Sequence, residues 1–160
     1  MALDLEEQEN LANLKSFWAR YGNFIIAVAT VALLAYAGWS AWNWYQRSQA
    51  AEAGKLYETL ITAIGKNEKD KTYLAADDLQ KKFGGTTYAA MGSLVAAKIA
   101  FDSNDAAKAQ SYLKWTADKA SEDSFRAIAQ LRLLGLLIDQ GTDASMKEAD
   151  QILKDRKSTR

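Results

Sequence analysis

The chain contains no cysteine and no histidine. The first absence excludes disulfides, thiol nucleophiles and thiolate metal sites. The second excludes imidazole metal ligands and histidine-based catalytic triads. The adjacent acids Asp77 and Asp78 do not replace them, because neighbouring residues on a helix point about 100° apart and cannot work as an acid–base pair. The sequence therefore predicts a protein that is not an enzyme, with no catalytic residue, no metal site and no cofactor.

Proline is also absent, and alanine is abundant. Alanine has the best helix propensity and proline the worst, so a nearly all-helical chain is expected. The 20 basic and 20 acidic residues give a formal net charge of zero. Bulk electrostatics therefore give no attraction to nucleic acid, and none is predicted as a partner. The length of 160 residues leaves room for one membrane span and one domain of about 110 residues.

Residues 21–46 carry no charged side chain, and residues 24–45 are the most apolar part of the chain. About 20 helical residues rising ~1.5 Å each cover the ~30 Å hydrocarbon core, so this segment predicts a transmembrane helix in a lipid bilayer. Indole and phenol rings settle at the headgroup level. The side chains expected at the two interfaces are Trp18, Tyr21, Trp39, Trp42, Trp44 and Tyr45.

Two alternatives compete with a retained span. A buried core helix is usually shorter or has a polar face. A cleaved signal peptide is the stronger rival, because residues 35–37 offer a small-x-small cleavage pattern. The preceding region, however, is acidic, with only Lys15 and Arg20 as bases, whereas a signal peptide begins with a positive region. A retained single span is favoured.

The orientation is not decided by charge. Lys15 and Arg20 precede the span, while Arg47 and Lys55 follow it, so the positive-inside count is equal on the two sides. The short amino-terminal tail is easier to leave in the cytoplasm than the larger carboxy-terminal domain. A cytoplasmic amino terminus and an exported carboxy-terminal domain are therefore expected.

Apolar residues at helical spacing predict helices along the rest of the chain. An amphipathic helix over residues 3–21 leads into the span, and a helix after the span ends at Gly65 and the polar run behind it. Gly84 and Gly85 are expected to end the next helix, and Thr86 or Thr87 to cap the one that follows. The helices predicted beyond Gly65 cover residues 73–83, 88–101, 106–119, 125–139 and 146–154.

These helices form units of helix, turn and helix, about 34 to 40 residues long. Ala109 and Ala149 in the returning helices allow close helix approach, and they match the small-residue signature of a tetratricopeptide repeat; an ordinary helical bundle is the alternative. The predicted fold is all-α, with one amino-terminal transmembrane helix followed by a tetratricopeptide-like α-solenoid of antiparallel helical hairpins. The predicted division is a cytoplasmic amphipathic tail over 1–22, the transmembrane helix over 23–45, the repeat domain over 46–155 and a basic end over 156–160.

Four segments carry a resemblance to a known family: NLKSFWARYG (13–22), GWSAWN (38–43), YAAMGSLVAAKIAFDSNDAAKA (88–109) and RAIAQLRLL (126–134). In combination they resemble the YfgM-like family, the ancillary subunits of the bacterial SecYEG translocon. The resemblance implies a single-pass inner-membrane protein with a periplasmic tetratricopeptide-like domain. It also implies work beside the SecYEG translocon with a membrane-anchored periplasmic prolyl isomerase chaperone.

The leading hypothesis is a non-enzymatic interaction module that links the translocon to periplasmic chaperones or to unfolded exported proteins. Partners would lie along a groove formed by the first helix of each hairpin. By analogy with tetratricopeptide geometry, the groove residues are Met91, Leu94, Lys98, Phe101, Arg132, Leu136 and Asp139. Leu94 and Leu136 could equally belong to the core.

The alternative is a self-associating membrane scaffold, a homo-oligomer unrelated to export. The resemblance implies further helical hairpins beyond Arg160 in family members. Leu134, Leu136 and Leu137 are therefore expected to lack part of their cover. Either the chain is truncated, or the exposed apolar face serves self-association or a partner.

Overall fold

A computed structural model of the chain describes the backbone of residues 3–158 and the side chains of residues 10–154. The described residues form six helices: α1 (Leu3–Gly65), α2 (Lys69–Phe83), α3 (Thr87–Asp102), α4 (Ala106–Lys119), α5 (Asp123–Gln140) and α6 (Asp143–Ser158). The prediction of an all-α chain is confirmed. The chain divides into two compact units, Met1–Gln46 and Arg47–Arg160. The predicted basic end, 156–160, lies outside the residues whose side chains are described.

The first unit is the amino-terminal part of α1. The part of the helix over Asn10–Gly65 is long and apolar enough to cross a membrane. Its most apolar stretch has a mean hydropathy of 1.9 and no buried residue. A core helix of a soluble protein would be largely covered by its neighbours, so this exposure argues against the core-helix alternative. The helix predicted over residues 3–21 continues into the apolar segment without a break.

The second unit is a stack of helical hairpins. The turns between successive helices are two or three residues long, which makes neighbouring helices antiparallel. Each helix from α2 to α5 packs on the helix that follows it, and α3 also contacts α5. The last part of α1 joins them, since Leu60 is fully buried and Tyr57 contacts Tyr88 with ring centroids 5.7 Å apart. Helices α3 and α5, the first helices of two successive hairpins, therefore run in the same direction as neighbours.

Gly92 lets three helices meet in the core. A Cβ atom at this position would lie 2.7 Å from Leu79 Cδ1 on α2 and 3.4 Å from Leu60 Cδ1 on α1. Both leucines are fully buried. Any side chain at residue 92 would therefore displace a packed leucine.

Buried positions recur with a period of forty residues. Ala89, Ser93, Leu94, Ala96 and Ala97 are buried in α3, and the residues forty positions later in α5, Ala129, Leu133, Leu134, Leu136 and Leu137, are buried as well. Ala109 in α4 and Ala149 in α6 are also buried and have the same separation. The two hairpins are therefore structural repeats, at the upper end of the predicted period.

The expectation that Leu134, Leu136 and Leu137 lack part of their cover is wrong. Their exposures are 7%, 5% and 0%. Helix α6 is longer than predicted, Asp143–Ser158, and it packs on α5, with the small Ala149 buried as well. The large apolar side chains that remain exposed on α5 and α6 are Ile128, Leu131, Ile138, Met146 and Leu153. The self-association hypothesis therefore depends on these residues and not on the three leucines.

Helix ends follow the predicted turns, but with a different use of glycine. The chain takes the left-handed conformation at Asn67 (φ 59°), Asn104 (φ 63°) and Gly141 (φ 59°), which ends a helix at low cost. Gly84 is right-handed, with φ −55°. A Cβ atom there would lie 2.7 Å from the Gln80 carbonyl oxygen, so Gly84 is needed for close approach and not for a left-handed turn.

The capping prediction is confirmed at Thr86, whose hydroxyl accepts a hydrogen bond from the Ala89 backbone N–H at 3.4 Å. Asp105 caps α4 in the same way, accepting from the Lys108 N–H at 3.0 Å. Helix α2 begins at Lys69, four residues before the predicted start at residue 73. The polar run there lacks an apolar period, yet Asp70 in the first turn suits the helix dipole.

Tyr112 links α4 to α2. Its hydroxyl donates to Asp77 Oδ1 at 2.8 Å, and its ring stacks on Tyr73 with centroids 6.1 Å apart. Lys108 Nζ lies 4.2 Å from the centroid of the Tyr73 ring, which is cation–π distance. Burial, and then the hydrogen bond and negative charge of Asp77, raise the pKa of Tyr112 well above the ordinary value of about 10.

The substitution Tyr112→Phe is expected to cost about 1.5–3 kcal/mol at neutral pH, because it removes a hydrogen bond to a carboxylate. Since the folded pKa of Tyr112 is raised, its contribution is present below the unfolded pKa of about 10 and is lost as the pH rises further. Urea unfolding of the full-length chain in detergent, at neutral pH and at about pH 11, should therefore show a smaller effect of Tyr112→Phe at the higher pH. Equal effects at both pH values would contradict this assignment.

Candidate partner-binding groove

A cavity of about 430 Å³ lies between α3 and α5, with α4 as its floor. Its lining residues are Ala97, Lys98, Phe101 and Asp102 from α3, Ala109 and Leu113 from α4, and Arg132, Gly135, Leu136 and Asp139 from α5. We call this cavity the α3/α5 groove. Its walls are the first helices of two successive hairpins, because the hairpin repeat places α3 and α5 side by side.

Five of the seven predicted groove residues line this cavity: Lys98, Phe101, Arg132, Leu136 and Asp139. Leu136 is also largely core, at 5% exposure. The other two residues do not line it. Leu94 is buried in the core, the alternative that the sequence left open, and Met91 is half-buried elsewhere on α3. Partner binding by any of the seven stays a prediction.

The groove has an apolar interior. The Phe101 ring is 52% exposed although its neighbours on the floor, Ala109 and Leu113, are buried. A large aromatic ring left half-uncovered beside buried small side chains is a site where an incoming apolar group can remove water from both surfaces.

Charges of both signs surround this interior. Lys98 Nζ and Asp102 Oδ2 form an ion pair at 2.6 Å on α3. Both side chains are more than half exposed, so the pair contributes at most about 1 kcal/mol. On α5, Arg132 and Asp139 form no ion pair with any side chain among residues 10–154. Both are therefore available to a ligand.

Sequence reasoning missed half of the lining. Of the five missed residues, only Ala109 is predicted above, as a position of close helix approach; the others are Ala97, Asp102, Leu113 and Gly135. Gly135 is not among the predicted groove residues. Its signal in the sequence was a glycine in the middle of a strongly apolar helix, where alanine would be more stable.

The side chains of the groove lining are suited to binding. It contains lysine, arginine and aspartate side chains, which bind charged groups, but no cysteine, histidine or serine. Among residues 10–154 no group of three or more aspartate or glutamate side chains is placed to hold a metal ion. The geometry therefore fits recognition of another molecule.

The predicted membrane-interface residues lie on α1, in the first unit. Their side chains are all largely exposed, from 46% for Tyr21 to 73% for Trp44. Eighteen residues separate Tyr21 from Trp39, which is about 27 Å along a helix axis. This matches the ~30 Å hydrocarbon core. Their role at the interface stays a prediction, supported by this spacing.

Hairpins that repeat every forty residues, a groove between their first helices and an exposed apolar helix together define a membrane-anchored α-helical repeat protein. The family model described as a tetratricopeptide repeat-like domain matches residues 15–159. Over 152 residues the chain is 30% identical to an ancillary SecYEG translocon subunit of Neisseria gonorrhoeae, covering 94% of this chain and 73% of that protein. It is 27% identical over 153 residues to an ancillary SecYEG translocon subunit of Haemophilus influenzae, covering 95% of this chain and 74% of the relative.

The chain belongs to the family of ancillary SecYEG translocon subunits with a tetratricopeptide repeat-like domain. The resemblance found in the sequence is confirmed. No solved structure gives a significant match. The family model begins at residue 15, before the apolar segment, so the segment lies within the region that defines the family.

Proposed function

We propose that the chain is a non-enzymatic docking module of the SecYEG translocon in the bacterial inner membrane. Residues 23–45 anchor it, with the amino terminus in the cytoplasm and the repeat domain in the periplasm. The names of its relatives support the association with the translocon. The observation that carries the docking role is the α3/α5 groove, in which the half-exposed Phe101 lies among charges of both signs.

The groove holds a segment of an exported protein as it emerges, or a membrane-anchored periplasmic prolyl isomerase chaperone beside the translocon. The cavity of about 430 Å³ is near the small end of the ~300–1,000 Å³ range of ligand pockets, so a segment held there makes few contacts and binds weakly. The membrane anchor compensates for this weak binding, because it holds the groove at the exit of the translocon and so raises the effective concentration of the groove near its partners. The anchor and the groove therefore act together.

Substitution of Phe101 by glutamate is expected to reduce the amount of chaperone or exported chain isolated with the full-length protein by about tenfold or more, because the charge replaces a hydrophobic contact. Isolation from membranes in mild detergent, with quantitative mass spectrometry, measures this. The amount of SecYEG isolated with the Phe101 variant should equal that of the wild type if the membrane anchor makes the contact with SecYEG. Ser111→Glu is the matched control, because Ser111 is exposed on α4 and does not line the groove. Equal losses for both variants would contradict a role of the groove.

The absence of native cysteine permits a direct test of orientation. Ser16→Cys places a single thiol in the amino-terminal tail, and Ser111→Cys places one in the repeat domain. In intact cells with a permeabilised outer membrane, a membrane-impermeant maleimide should label Ser111→Cys and leave Ser16→Cys unlabelled until the inner membrane is opened. The reverse labelling would overturn the proposed topology.

A further inference from the structure

Gly135 lies in the middle of α5 without a packing reason for a glycine. A Cβ atom at this position would have no neighbouring atom within 4 Å. Gly92, by contrast, is packed against Leu79 and Leu60, and a Cβ at Gly54 would contact the Tyr88 ring. Gly135 does not adopt a left-handed conformation either. Alanine would be more stable than glycine in a helix interior, and neither packing nor backbone conformation within the described chain requires a glycine here.

The missing side chain instead opens the α3/α5 groove. Gly135 lines the α5 wall next to Leu136, and Phe101 lines the α3 wall. The space that a side chain at residue 135 would occupy is part of the cavity. A bound side chain can therefore lie directly on the α5 backbone at this point.

The charges on α5 indicate what flanks that side chain. Arg132 and Asp139 lie on either side of Gly135 in the groove lining. At ~1.5 Å per residue they are about 4.5 Å and 6 Å from Gly135 along the helix axis. Asp139 lies in the last turn of α5, where the helix dipole disfavours a carboxylate. A positively charged ligand group beside Asp139 would offset this unfavourable interaction.

Alternate residues of an extended segment lie on one face and are about 6.6 Å apart. This spacing places residues i−2, i and i+2 near Arg132, Gly135 and Asp139 respectively.

We propose that Gly135 is a specificity-determining residue of the groove, which binds an extended polypeptide segment of the pattern acidic–x–large apolar–x–basic, in either chain direction. The large apolar side chain lies over Gly135 between Phe101 and Leu136. The acidic side chain pairs with Arg132 and the basic one with Asp139. This inference rests on the proposed function and names the chemical class of the bound segment.

Three labelled peptides test the pattern by fluorescence anisotropy with the full-length chain in a non-ionic detergent. The probe is Gly-Glu-Ser-Phe-Ser-Lys-Gly; the second peptide replaces phenylalanine with alanine, and the third replaces lysine with glutamate. The alanine peptide should bind about tenfold more weakly or worse, because the buried ring is lost. The glutamate peptide should also bind more weakly to the wild type, and Asp139→Lys should reverse that preference.

Substitutions at Gly135 separate binding from folding. Gly135→Leu should fill the groove and remove binding of the phenylalanine peptide, while the melting temperature stays equal to or above that of the wild type, since the space is open. Gly135→Ala should raise the melting temperature by about 4 °C through helix propensity. Ser111→Leu, which adds the same side chain on exposed α4, should leave peptide binding unchanged.

The inference would be overturned if Gly135→Leu bound the phenylalanine peptide as tightly as the wild type does. It would also be overturned if the wild type bound the phenylalanine and alanine peptides equally, which is the result expected if the groove holds an acyl chain and no peptide. The proposed function fails by a different result. If a crosslinker at Phe101 captures exported chains or a chaperone in membranes while the peptides are not discriminated, only the specificity of Gly135 is wrong. If nothing is captured, the proposed function itself is wrong.

Discussion

Leu79→Ala is expected to lower the free energy of unfolding of the repeat domain by about 3 kcal/mol, because it removes a fully buried leucine from a packed site. Leu79 lies on α2 with its Cδ1 atom against Gly92 on α3. Urea unfolding of the full-length chain in detergent, followed by far-ultraviolet circular dichroism, measures the loss. Leu74→Ala is the control, because Leu74 is on the same helix and 66% exposed; its effect should stay within about 0.5 kcal/mol.

The effect of Gly92→Ala should change sign with the residue at position 79. In the wild type the new Cβ would lie 2.7 Å from Leu79 Cδ1, so Gly92→Ala is expected to destabilise by about 1–3 kcal/mol. In the Leu79→Ala background the obstructing atom is absent. The substitution should then stabilise by up to about 1 kcal/mol through helix propensity. The same sign in both backgrounds would show that the close approach of α2 and α3 is not what requires Gly92.

The paired substitution Leu33→Arg with Leu34→Arg is expected to release the chain from the membrane. Each arginine near the centre of a span makes insertion about 3 kcal/mol less favourable than leucine, and both positions lie within the uncharged segment, residues 21–46. The sum of about 6 kcal/mol is roughly a 10⁴-fold change. Membrane fractionation with carbonate extraction measures the result, and Leu33→Val with Leu34→Val is the control that should remain in the membrane.

Retention of the double arginine variant in the carbonate-resistant fraction would contradict the assignment of residues 23–45 as a single span. Its release should also abolish the isolation of SecYEG with the chain, if the anchor brings the repeat domain to the translocon. The groove itself should stay intact in the released protein, because none of its lining residues belongs to the first unit.

The helices could be predicted from the sequence because several local signals agreed. Helix α4 has apolar residues at helical spacing, a capping aspartate at Asp105 and a left-handed Asn104 before it. Helix α2 shows the limit of this reasoning. Its first turn is entirely polar, so periodicity could not show that it begins at Lys69.

The exposure of the leucines on α5 could not be predicted in the same way. Residues 133–137 are apolar or glycine throughout, and each successive side chain turns by about 100°. Such a run does not show which side chains face the partner helix. The structure shows that Leu137 is buried and that Leu131 and Ile138 are exposed.

The groove could be predicted in part, because the hairpin repeat brings α3 and α5 together. Lys98 and Phe101 follow from the geometry of the repeat, and the structure places them in one cavity with Arg132 and Asp139. Gly135 could not be found by searching for binding side chains, since what it contributes is the absence of one. Leu94 shows the converse error, a large apolar residue that packs in the core.

The most direct test of the docking role is site-specific photocrosslinking in bacterial membranes, with a benzophenone amino acid in place of Phe101 and, as the control, in place of Ser111. Both positions belong to the repeat domain, but only Phe101 lines the α3/α5 groove. Crosslinks from residue 101 to an exported chain or to a membrane-anchored periplasmic chaperone, absent from residue 111, are the expected result. Identical crosslinks from the two positions, or none from residue 101 during active export, would contradict the account.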